Sequence, residues 1–211
     1  LLHPPTSDIQ NAQMPAHRYF LLNKPYNMVS QFVSSHVVPL LADLPFDFPE
    51  GTHAIGRLDR HSEGLLLLTT DKRITKLLFE SDTPHARTYM VQVVYAMTER
   101  DLESIRSGVK ISAKDSTTYT TRPCSASIVE QPGYLWAGHG NIPAHVSSSW
   151  VAISLTEGKY HQVRKMVRAL GYRCRRLIRT SIEKLSVEGL QPGEVREISR
   201  EAFFKGLRLN T

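Results

Sequence analysis

The chain has 211 residues, 41% hydrophobic and 22% charged, with 26 Lys and Arg against 20 Asp and Glu and a formal charge of +6. That balance fits an ordered globular chain with one substantial core and excludes a disordered or fibrous one. Cys124 and Cys174 form no Cys-x-x-Cys pair, and neither a secretory leader nor an apolar run of about 18 residues appears. A disulfide framework, a structural zinc site and a membrane span are therefore not expected, and the chain reads as cytoplasmic. Residues 1–18 carry three prolines without periodicity and read as a flexible N-terminal arm. Tyr19 to Asn23 predicts a short strand, and the continuous apolar run Leu65 to Thr70, bounded by Gly64 and Asp71, predicts a strand buried on both faces. Asp71 can cap a helix with Ile74, Leu77 and Leu78 on one face. Thr88 to Tyr95 is β-branched and aromatic, as a strand should be. Thr98 and Asp101 form a capping box that opens a helix through Arg106, stopped by Gly108. Thr117 to Ile128 and Trp150 to Thr156 read as strands separated by an irregular loop, Gln131 to Ser149, long enough to carry function. Val163, Met166, Val167 and Leu170 recur at helical spacing and Gly171 ends that helix. Strands and helices mixed without strict alternation predict an α+β fold.

Two segments carry chemistry. Gly56 to Thr70 places Asp59 between Arg57 and Arg60 just ahead of the buried strand, so its carboxylate sits on a loop fixed by the core. An ionised carboxylate there can act as nucleophile or general base, although most Asp residues between charges are solvated turn residues. Residues 157–180 hold eight cations, Lys159, Arg164, Lys165, Arg168, Arg173, Arg175, Arg176 and Arg179, against Glu157 alone, for a local charge of +7. Such a run is the footprint expected for a polyanion partner, although a charge run is usually just a solvated helix face, and the interleaved Tyr160, His161 and Tyr172 can stack on exposed bases.

Three ordered motifs resemble the pseudouridine synthases of the RsuA type. They are Leu21-Leu22-Asn23-Lys24-Pro25, then Gly56-Arg57-Leu58-Asp59 with its Ser62-x-Gly64-Leu-Leu-Leu-Leu-Thr69 run, then Glu157-Gly158-Lys159-Tyr160-His161-Gln162-Val163-Arg164. The resemblance spans roughly residues 19 to 200 and implies a pseudouridine synthase fold: a central, mostly antiparallel sheet with flanking helices and a basic RNA-binding cleft. It implies one catalytic domain of two abutting subdomains over 19–205, with 206–211 as a C-terminal tail. Many relatives of this type carry an N-terminal S4 domain, and the segment before Tyr19 is too short for one.

The implied activity isomerises a specific uridine to pseudouridine in RNA without a cofactor or a metal. The wording Lys24-Pro25-Tyr26-Asn27 is nearest the relatives that act on large-subunit (23S) rRNA. Alternatives are action on small-subunit rRNA or tRNA, or a catalytically silent RNA-binding module. The resemblance implies Asp59 as nucleophile, at uracil C6 or at sugar C1′, Tyr89 stacking on the uracil and removing the C5 proton, and Arg164 holding Asp59 by a fork-shaped ion pair. It places Leu177 beneath the base and gives RNA contacts to Arg57, Lys24, Lys159, His161, Gln162, Lys165, Arg168 and Arg179, in a monomer. Asn27 and Glu183 stand where relatives usually carry Gly.

Overall fold

The structure, a computed structural model, describes residues 17–79, 83–113, 117–138, 142–143 and 145–209. In chain order the elements are β1 (Tyr19–Lys24), a 3-10 turn (Leu41–Asp43), β2 (His53–Ile55), β3 (Glu63–Thr69), α1 (Arg73–Phe79), β4 (Arg87–Val94), α2 (Glu99–Ser107), β5 (Lys110–Ser112), β6 (Thr118–Thr120), β7 (Ser125–Val129), β8 (Ser148–Leu155), α3 (Gln162–Ala169), β9 (Cys174–Ile182), β10 (Leu185–Ser186), β11 (Val195–Ile198) and α4 (Arg200–Leu207). A mixed sheet runs β11-β1-β3-β9-β4-β8-β7, with β2 paired to β3 and β10 to β9; β5 and β6 form a small second sheet. Among the described strands only β3 and β9 pair in parallel, over Glu63↔Ile178 and Gly64↔Arg179. The α+β expectation with a mostly antiparallel sheet therefore holds.

Period two sorts the buried strand β3. Leu65 and Leu67 pack with Tyr19, Phe203 and Phe204 on one face, while Leu66 and Leu68 pack with Phe20, Leu22 and Leu41 on the other. Each such leucine contributes about 1.5–3 kcal/mol of burial. A further core joins β4, β8 and β9 to α2 and α3 through Val91, Leu102, Ile105, Val151, Met166 and Leu177. The short parallel junction depends on Gly64 at φ +101, since a Cβ there would run into the Arg179 backbone. That crossing places the Asp59 loop beside β9.

The capping box at Thr98 forms as read, with Asp101 N donating to Thr98 Oγ1 at 3.3 Å and Thr98 N to Asp101 Oδ2 at 2.9 Å. On α1, Asp71 Oδ1 accepts from Arg73 N at 3.1 Å and Ile74 and Leu78 are buried, but Leu77 is 42% exposed. The predicted strand Thr117 to Ile128 is broken by Pro123 into β6 and β7, which join different sheets. Residues 206–211 are not a tail as far as Leu209: α4 runs to Leu207, and Gly206 and Leu207 are buried, with Gly206 against Leu185. Residues 1–16 of the expected arm lie outside the described residues, whereas Arg18 is held by Glu197 at 2.7 and 2.6 Å. Asn27 and Glu183 both have left-handed backbone, φ 65 and φ 50, which is the conformation that favours glycine at those positions. Among the described residues no helix is long and apolar enough to cross a membrane.

Candidate active site

The loop from Gly56 to Ser62 links β2 to β3 and is tied down along its length. Ser30 Oγ accepts from Leu58 N at 3.0 Å and donates to Leu58 O at 2.9 Å. Ser62 N donates to Asp59 O at 2.9 Å, and Arg60 Nε donates to Asn27 Oδ1 at 2.7 Å. Beneath the loop, Lys24 is wholly buried and spends its ammonium on the carbonyls of Met28 (2.7 Å), Pro25 (2.8 Å) and Arg60 (3.4 Å). Burial pulls the Lys24 value down to about 7; Glu63 and Asp59 oppose the fall and Arg179 adds to it. The result is a stiff support for Asp59, whose side chain stays 34% exposed.

The opposite wall is the entry to α3. His161 caps that helix in the left-handed region, φ 53, a strained setting that brings its Nε2 to 3.3 Å from Asp59 Oδ1. The Tyr160 ring stacks on His161 at 3.9 Å. Glu157 ties this turn together, accepting from Tyr119 OH, from Arg122 N at 2.9 Å and from Gln162 Nε2 at 2.6 Å, while Gln162 Oε1 accepts from Lys159 N at 2.8 Å. Burial raises the Glu157 carboxyl, but those hydrogen bonds outweigh it and hold the group below its ordinary value.

Arg164 does not hold Asp59 by an ion pair, contrary to expectation. Its Nη2 donates to the His61 carbonyl at 2.7 Å and to Ser62 Oγ at 3.4 Å, and its Nη1 reaches Cys174 Sγ at 3.5 Å, so the fork is occupied by the loop backbone and the start of β9. Burial first, then the cations of Arg60, Arg164 and Lys24, push the His61 imidazole below its ordinary value; His61 stacks on Tyr26 at 5.2 Å.

One cleft of about 1040 Å³ gathers Asp59, Arg57, Tyr89, Leu177, Lys159, His161 and Gln162. The exposed edge of Asp59, the half-buried Tyr89 and the buried Leu177 thus line one space, which brings together a carboxylate, an aromatic ring and an aliphatic side chain. Lys165 and Arg168 lie elsewhere: Lys165 Nζ donates to Ser112 O at 2.7 Å and sits over the Tyr160 ring, and Arg168 lines a separate concavity with Arg164 and Arg173. Two expected RNA contacts are internal. Lys24 is consumed by backbone carbonyls, and Arg179, also buried, donates to Leu65 O at 2.8 Å. Arg176 is likewise lost to the basic run, since it forms a buried two-pronged pair with Glu63 at 2.8 and 2.9 Å. Sequence reasoning missed Ser30, His85 and Arg87 as residues of the cleft wall. Only Arg87 left a signal, because it shares a strand face with Tyr89 at period two.

The RNA pseudouridylate synthase family model matches residues 18–169. Ribosomal large subunit pseudouridine synthase E of Vibrio vulnificus is 36% identical over 192 residues, covering 90% of this chain and 79% of the relative. The protein of the same name from Xanthomonas campestris is 34% identical over 178 residues, 83% of this chain and 92% of its own length. Ribosomal small subunit pseudouridine synthase A of Yersinia pestis is 27% identical, over 90% of this chain and 72% of that relative. A crystal structure of a pseudouridylate synthase superposes with TM-score 0.73 at 26% identity, covering 90% of this chain and 74% of the other.

Proposed function

The chain belongs to the RNA pseudouridylate synthase family, and we propose that it isomerises one uridine of large-subunit ribosomal RNA, with Asp59 as nucleophile and no cofactor. Pseudouridine synthases are isomerases. The N1–C1′ bond breaks, a C5–C1′ bond forms, C5 gives up its proton and N1 ends protonated. The observation that carries the assignment of the site is the convergence of Asp59, Tyr89 and Leu177 on one cleft. A uracil on Leu177 and against the Tyr89 ring lies within the same cavity as the Asp59 carboxylate. His161 engages Oδ1 of that carboxylate, which leaves Oδ2 for attack at C6 or C1′. Tyr89 then takes the C5 proton. Arg164 acts at one remove, as a positioning residue that fixes the loop carrying Asp59.

The target base must leave its stack, at a cost of a few kcal/mol that contacts to RNA offset. Arg57, Arg60, Arg122 and Lys159 in the cleft wall supply cations for those contacts, with Lys165 and Arg168 extending them outside it. The higher identity to relatives named for the large subunit, 34–36% against 27% for one named for the small subunit, favours a large-subunit target. We assign catalysis to a single unit running from Tyr19 into α4. Mapping pseudouridine in ribosomal RNA from cells with and without this protein tests the target: loss of one large-subunit site supports it, and loss of a small-subunit or tRNA site replaces it.

A further inference from the structure

Among the described residues, Arg87 is a buried cation without an acid. It begins β4, is 8% exposed, and shares with Tyr89 the strand face that lines the cleft. Among the described residues its guanidinium has no carboxylate partner and no hydrogen bond; it lies over the Phe79 ring at 5.1 Å. Gly158 faces it, and a Cβ there would come within 3.3 Å of Nη1, so glycine keeps the edge of the fork open to the cavity. Burial lowers its value, the Tyr89 phenol opposes that and Arg179 adds repulsion, and no carboxylate among the described residues neutralises the charge.

His85 lines the same end of the cleft. It is 3% exposed, both ring nitrogens are closed off from solvent and Nδ1 faces Glu183 Oε1 at 3.6 Å, so His85 presents no donor to the cleft and Arg87 stands alone there. An unpaired guanidinium in a residue this buried is costly to keep, and it is satisfied by an anion arriving through the cleft. The carboxylates that line the cleft among the described residues do not serve: Glu157 is taken by Tyr119, Arg122 and Gln162, and Asp59 faces His161. The anion that RNA offers is its phosphodiester, whose oxygens match a guanidinium fork.

We propose that Arg87 forms a phosphodiester subsite at the Phe79 end of the cleft, which takes the backbone phosphate beside the target uridine and sets how deeply the flipped nucleotide enters. This rests on the functional reading above and adds a contact it does not include.

The test measures RNA affinity of the full chain carrying Asp59→Asn, so that binding is read without turnover. The cognate RNA carries one uncharged methylphosphonate linkage, moved stepwise across the target and its neighbours. With Arg87 present, one linkage flanking the target should weaken binding roughly 10- to 100-fold, the range of a hydrogen-bonded charge contact. In Arg87→Met the same linkage should cost less than about twofold, and Arg87→Lys should recover part of the sensitivity. The melting temperature of Arg87→Met should equal or exceed that of its parent, because an unpaired buried charge is removed. Identical linkage profiles in both backgrounds, or a melting temperature that falls together with affinity, would make Arg87 a packing residue and overturn the proposal. Isomerisation by the wild-type chain reads the functional assignment on its own, so the two ideas fail separately.

Discussion

Trp136 donates its indole N–H to Glu63 Oε2 at 2.9 Å, the oxygen that Arg176 Nη2 also holds at 2.9 Å. Arg176 Nη1 returns a bond to the Trp136 carbonyl at 3.0 Å, and its guanidinium lies over the indole at 5.4 Å. The irregular loop after β7 is therefore anchored to the first residue of β3, four residues beyond Asp59. A side chain so engaged is not a free platform for a base.

Anchoring predicts a stability cost. Glu63→Gln, which leaves Arg176 buried without its counter-charge, should lower unfolding free energy by about 3–5 kcal/mol. Trp136→Phe should cost less, about 1 kcal/mol, because the ring contact survives and only the hydrogen bond goes. Urea denaturation checks both, and a Glu63→Gln protein as stable as wild type would contradict the anchor.

The basic run divides in two. Arg176→Ala should destabilise the fold and leave the dependence of RNA affinity on log salt unchanged. Arg168→Ala should leave stability within about 0.5 kcal/mol and flatten that slope by up to about one unit. Filter binding across a salt series separates the two, and a flattened slope for Arg176→Ala would place it on RNA after all.

Lys24 gives the stability curve a sign. Its folded value is about 7 against an ordinary 10.5, so between those values the unfolded chain binds the additional proton. Stability should therefore rise with pH across that window, with the full cost of the buried ammonium present below about pH 7. Urea midpoints at pH 6.5 and pH 9 should diverge in the wild type and converge in Lys24→Met after other groups cancel. Parallel pH profiles would contradict the assignment.

Where local chemistry dictates local structure, the chain was legible. The capping box at Thr98, the doubly buried β3 and the helical period of α3 were all readable because propensity and burial agree there. β9 was not, although it occupies the middle of the sheet. Its three arginines mimic a solvated face, and tertiary partners, Glu63 for Arg176 and the Leu65 carbonyl for Arg179, let two of them enter the interior. The same masking produced the expected RNA roles for Lys24 and Arg179. That Asp59, Tyr89 and Leu177 share one cleft was legible through the family resemblance. The grip of Arg164 on a backbone carbonyl was not, because no spacing rule encodes which acceptor a long side chain finds.

Because the planar fork of Arg164 spans the His61 carbonyl and Cys174 Sγ, Arg164→Lys should reduce turnover at least tenfold while changing RNA affinity less than about threefold. Equal losses in rate and affinity, measured under single-turnover conditions, would move Arg164 to the RNA backbone.

The central claim is that the Asp59 carboxylate performs the isomerisation. Its direct measure is release of tritium from C5 of the target uridine by Asp59→Asn, which keeps the size and shape of the side chain but not the nucleophile. In Asp59→Asn, RNA affinity and melting temperature should stay close to wild type with no release above background; release at an appreciable fraction of the wild-type rate would remove Asp59 from the chemistry.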